Sequence, residues 1–197
     1  MMIPPAHYAL SEILIVIASL YTARQLSTNK NYFALIGILL LGLTAAIGAV
    51  RFGIINSELI VQINKILALY AGISALSLVS TQLVFNSYLK NFGKYIFLIA
   101  FVSILGALLF PKLLLLNLIY LWSIVSIILS IFLCEKIIAK KILNGILMSI
   151  LIFGFLFLSK RGLFAESLGA DLSFHLYHIF IAAWILSMGY VLNLRNN

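Results

Sequence analysis

Charged residues are scarce in this chain: Asp, Glu, Lys and Arg make up 9% of it, against about a quarter of a soluble domain. Hydrophobic residues make up 64%. A water-soluble fold cannot absorb that much Leu and Ile, because its surface would also have to be apolar. Cysteine is nearly missing. Cys134 stands alone, so no intrachain disulfide can form and redox logic says nothing of the compartment. The motifs of soluble enzymes are missing too: there is no G-x-G-x-x-G, no P-loop, no C-x-x-C and no G-x-S-x-G. No repeat, low-complexity tract or domain boundary appears, and residues 1–197 read as one domain. Residues 1–11 lack Lys and Arg, and no small-residue cleavage site closes the first apolar run. That run reads as a retained span rather than a secretory leader.

What is present is a series of apolar runs. A helix needs about 20 apolar residues to cross the hydrocarbon. Seven runs qualify, at roughly 8–26, 32–54, 58–84, 94–110, 112–133, 137–158 and 173–194. The weakest boundary is the fourth. Residues 94–133 as one helix would measure about 60 Å, twice the membrane core, so the chain must turn there. Pro111 suits the first turn of a new helix, where its missing N–H costs nothing. The fold class is therefore all-α, a polytopic seven-helix membrane bundle.

The formal net charge is +8, but the basic residues lie singly or in small groups between apolar runs. That is the pattern of membrane topology rather than nucleic-acid binding. One side holds eight of the basic residues: Arg24, Lys30, Lys90, Lys94, Lys136, Lys140, Lys141 and Arg195. The other holds Arg51, Lys112, Lys160 and Arg161. The richer side is expected to be cytoplasmic, with the N-terminus outside and the C-terminus inside a cytoplasmic membrane.

Ionisable groups within a span are costly and point to function. Asp171, His175 and His178 open the last span at i, i+4, i+7, on one helix face. Two imidazoles one turn apart can converge on a metal with a carboxylate beside them; the plainer alternative is a helix cap followed by interfacial histidines. His7 at the edge of span one is a candidate third ligand or a solvated residue. Glu12, among Ile13, Leu14 and Ile15, needs a partner or a proton. Arg51 ends a small-residue stretch of span two (Ala45, Ala46, Gly48, Ala49) and can snorkel, pair with Glu12 or Asp171, or hold an anionic group. Glu58, Gln62 and Lys65 share a face of span three, and Lys65 is expected to turn inward towards an acid. All these residues fall at the outer ends of spans one, two, three and seven, as a pocket opening outward would require. The 159–172 linker, with Gly162 and Gly169, lies over the same end as a candidate lid.

Seven spans, the Ser11-Glu12 and Ala18-Ser19 pairs of span one, and the string Phe174-His175-Leu176-Tyr177-His178-Ile179-Phe180 together resemble the CREST superfamily. Its members include alkaline ceramidases, progestin and adipoQ-type receptors and Per1-like lipid-remodelling proteins. The resemblance implies a zinc-dependent hydrolase of a lipid amide or ester. Zinc would be held by His175 and His178, with His7 as the third ligand only if it substitutes for the family's span-two histidine; Asp171 or Glu12 would accept the proton and Arg51 would hold the substrate. The chain departs from the family pattern at three points. The last-span pair is His-x-x-His rather than His-x-x-x-His, Arg51 stands where span two should carry a histidine, and span three has no Asp. The residues alone also admit a non-enzymatic protein that binds a ligand or partner subunit at the polar cluster, in a homo-oligomer or with another chain. A small proton-linked transporter is a third reading.

Overall fold

The computed structural model describes residues 5–55, 57–87, 89–137 and 165–193. Among these every regular element is helical: α1 (Tyr8–Thr28), α2 (Tyr32–Gly53), α3 (Glu58–Phe85), a 3-10 turn (Lys90–Phe92), α4 (Gly93–Leu109), α5 (Pro111–Ile137), the short α6 (Ala165–Leu168) and α7 (Ala170–Asn193). Five helical segments are long and apolar enough to cross a membrane: α1, α2, α3, α4 with its preceding 3-10 turn, and α7. Within α5 the apolar stretch Leu116–Leu129 is shorter. The expected sixth span, 137–158, lies outside the described residues apart from Ile137, as does the 159–164 part of the linker.

Local chemistry sets the helix ends. The Ser57 hydroxyl accepts from the Ile60 amide at 3.3 Å and caps α3. Lys30, at φ 58°, turns the chain between α1 and α2. Pro111 opens α5 as expected. Gly169 sits at φ 78°, a left-handed conformation that breaks the chain between α6 and α7. As a result α7 starts at Ala170 rather than 173, and Asp171 stands in its first turn.

α1 lies between α2 and α7, α2 also packs on α3, and α3 carries α4 and α5. Close approach relies on small residues. At Gly37 of α2 an added Cβ would meet the Cα of Ala75 at 2.9 Å, and backbone cannot move aside as a side chain could. Trp184, Leu26, Ile38, Ile73, Leu83 and Met188 fill the centre. The outer surface is apolar: Leu10, Ile17, Leu43, Ile66, Phe101 and Leu121 are all more than half exposed. A chain that buries aliphatics and also displays them is compatible with a hydrocarbon solvent.

The direction of α7 matters most for the site. Thr22 Oγ1 donates to the Ile185 carbonyl at 3.3 Å, and Asn31 Nδ2 donates to the Leu192 carbonyl at 3.3 Å. Low numbers in α1 thus meet low numbers in α7, and high meet high. The two helices run parallel and start at the same end of the bundle. At the opposite end Asn86 Nδ2 donates to Asn31 Oδ1 at 2.8 Å, and Gln82 Nε2 to Asn86 Oδ1 at 3.1 Å. The Phe33 amide donates to Gln82 Oε1 at 3.1 Å, which ties the start of α2 to the end of α3.

Candidate functional site

Tyr8, Ser11 and Glu12 are spaced i, i+3, i+4 and share one face of α1. Because α7 starts beside α1, this face meets Asp171, His175 and His178 rung by rung. Tyr8 Oη donates to Asp171 Oδ1 at 2.5 Å. The Ser11 hydroxyl is hydrogen-bonded to His175 Nδ1. Glu12 Oε1 lies 3.3 Å from His178 Nε2. Exposure falls inward: Asp171 is exposed and His175 half-buried, while Ser11, Glu12 and His178 are only 6–7% exposed.

Geometry fixes the proton count on the innermost rung. His178 Nδ1 lies 2.7 Å from the Phe174 carbonyl oxygen. A carbonyl only accepts, so Nδ1 carries a hydrogen. Nε2 then faces Glu12, and that contact needs one proton, held by either the carboxyl or the ring. In both arrangements the pair has no net charge. Glu12 thereby has the partner that its apolar neighbours demand. Its carboxylate also lies against the backbone of α2: a Cβ at Gly48 would stand 2.5 Å from Oε1 and 2.7 Å from Cδ.

Aromatic rings surround the rungs. Tyr8 stacks on Phe174 with centroids 3.9 Å apart and an interplanar angle of 9°. Phe52 meets both rings edge-on at 5.4 Å. Phe174 also contacts His178 at 4.0 Å, and His7 lies against His175 at 5.1 Å. Arg51 sits beside this cluster, its Cζ 4.6 Å from the Phe52 centroid. Its Nη1 donates to Asn64 Oδ1 at 3.1 Å, and Asn64 Nδ2 donates to the Thr44 carbonyl at 3.2 Å.

The zinc set drawn from the resemblance does not fit these donors. Among the described residues no three His, Cys, Asp or Glu side chains are grouped to hold one ion. Both His178 nitrogens face protein atoms, and His175 Nδ1 is taken by Ser11. The three-residue spacing directs the two imidazoles to different residues of α1, and His7 meets His175 ring to ring.

The structure brings Glu12, Asp171, His175, His178 and His7 to one end of the α1–α7 seam, with Arg51 alongside. It does not bring the α3 face there. Glu58, Gln62 and Lys65 are exposed, and Lys65 has no ion-pair partner among the described residues. The inward residues of that helix segment are Val61 and Asn64. Asn64 went unread in the sequence because it lies between the charged positions. Tyr8 is legible only as the i−4 neighbour of Glu12, and Ser11 only within the Ser11-Glu12 pair of the resemblance, signals that become specific once the partner helix is known. Comparison with protein-family models, curated proteins and solved structures finds no significant match.

Proposed function

We propose that the α1–α7 seam is a hydrolytic site for an ester or amide of a membrane lipid, worked by side-chain acid–base chemistry. The observation that carries this reading is the buried Ser11 hydroxyl bonded to a half-buried imidazole. A nucleophile in contact with a base is the minimal unit of acyl transfer. Ser11 Oγ attacks the carbonyl carbon as His175 Nδ1 takes its proton. The protonated ring returns that proton to the leaving alcohol or amine. Water, activated by the same ring, then cleaves the acyl-serine and regenerates the hydroxyl.

Purified protein in lipid vesicles tests this with a panel of glycerolipids and ceramides. Turnover is expected, and S11A and H175A should each lower it by about 10²–10⁴-fold while unfolding temperature holds. Activity that survives S11A, or no turnover across the panel, overturns the reading. A second reading, proton-coupled carriage, is favoured by the continuation of buried polar groups along α1, at Ser19 and Thr22, to Asn31 at the start of α2. Proton flux into vesicles that is abolished by E12Q, without lipid turnover, would favour it.

For the architecture we propose seven crossings with the site on the outer side. Two features support this. α5 is antiparallel to α4 and ends where α1 ends, whereas α6 and α7 start where α1 starts. The apolar run 137–158 is long enough to supply the remaining crossing. The excess of Lys and Arg also lies at the end opposite the histidines, which orients that end to the cytoplasm.

A further inference from the structure

We propose that the aromatic end of the α1–α2–α7 cluster recognises an anionic group of phosphate or carboxylate type, with Arg51 as its anchor. That the anion belongs to a substrate rests on the hydrolytic reading; the anion site stands on its own geometry.

The case is one of charge balance. The Glu12–His178 pair shares a single proton and is net neutral, so it leaves Arg51 without a full counter-charge. Glu12 is close enough to act on Arg51 electrostatically but is not within ion-pair distance. Among the described residues no other carboxylate pairs with the guanidinium. A guanidinium offers five donors. One is used on Asn64, and Nε is buried without a partner. A half-buried cation in the last turn of a span without a full counter-charge is costly, and a bound anion would lower that cost.

The side chain is also held for the task. An Arg near a helix end would ordinarily extend towards head groups. Arg51 instead reaches across to Asn64, which is 7% exposed and itself fixed by the Thr44 carbonyl. Its Cζ lies over the Phe52 ring, which touches Tyr8 and Phe174 of the seam. Gly48, one turn before Arg51, carries the Glu12 carboxylate. A planar fork with unused donors, one aromatic ring away from the seam, matches the two oxygens of a phosphate or carboxylate.

The test uses S11A protein, so that binding is read without turnover. In neutral detergent, native mass spectrometry measures occupancy by phosphatidic acid and by diacylglycerol with the same acyl chains, with inorganic phosphate as a third probe. Preference for phosphatidic acid over diacylglycerol by about tenfold or more at low salt is expected, the size of a charge-assisted hydrogen bond. R51Q in the S11A background should erase it, and R51K, which keeps charge but loses the fork, should retain only part. Displacement of the lipid by inorganic phosphate would identify a soluble anion as the ligand of the same site; no displacement identifies a lipid head group. Equal binding of the two lipids together with no phosphate binding overturns the proposal, even if R51Q does not fold. A preference unchanged in R51Q overturns it as well. Anion preference without turnover by the Ser11 protein sinks the hydrolytic reading alone. Turnover with no preference sinks this one alone.

Discussion

At Glu12 an ionisable side chain is made tolerable by three neighbours acting at once. His178 receives or supplies its proton, the Phe174 carbonyl fixes the ring so that it can, and the bare Cα of Gly48 gives the carboxylate room. These roles predict different outcomes for two substitutions of Glu12. E12A leaves His178 Nε2 buried without a partner and should cost about 1–3 kcal/mol. E12Q can donate an amide hydrogen to that nitrogen and should cost less than about 1 kcal/mol if the proton sits on the carboxyl. Chemical unfolding in detergent measures both. A cost for E12Q equal to that of E12A would place the proton on the ring, as an ion pair. Two glycines make a matched test of crowding. G48A drives a methyl into Glu12 and should destabilise by about 1–3 kcal/mol. Gly72, where an added Cβ meets nothing within 4 Å, should gain about 0.5 kcal/mol or more as Ala, since it lies inside α3.

The α1–α7 pair is held by polar rungs at one end, Thr22 in the middle and Asn31 at the far end. Between helices in a lipid-like solvent such bonds are worth about 0.6–2 kcal/mol each, because no hydrophobic drive exists to replace them. Their spacing specifies the parallel register. Cysteines at Tyr8 and Asp171, in a C134S background, should be joined by a short bis-maleimide. A cysteine at Tyr8 paired with one at Asn86, at the opposite end, should not. Gel mobility after limited cleavage between the two sites reads the result, and the reverse pattern would rule out the parallel pairing. The length of span seven in the sequence says nothing of this register, and the i, i+3, i+4 face of α1 acquires meaning only when α7 is laid beside it.

On the scale of the whole molecule, the two ends of the bundle differ in chemistry. One gathers the histidines and Asp171; the other gathers the Asn31, Gln82 and Asn86 amides together with Arg24, Lys30, Lys90 and Lys94. In cells expressing single-cysteine variants in the C134S background, a membrane-impermeant maleimide should label S57C without permeabilisation and N91C, exposed in the turn before α4, only after it. Labelling of N91C in intact cells would invert the orientation and place the seam inside.

The apolar runs, the turn at Pro111 and the clustering of ionisable residues at one end were set by the sequence alone. Helix length against membrane thickness and the cost of charge in hydrocarbon act on each segment separately. The partners were not. Whether His178 meets a metal or Glu12, whether Lys65 turns inward or Asn64 does, and whether Arg51 snorkels or reaches across depend on which face of each helix its neighbour covers. That is decided by close approach at small residues such as Gly37 and Gly48 and by the shared direction of α1 and α7, which only the assembled bundle contains.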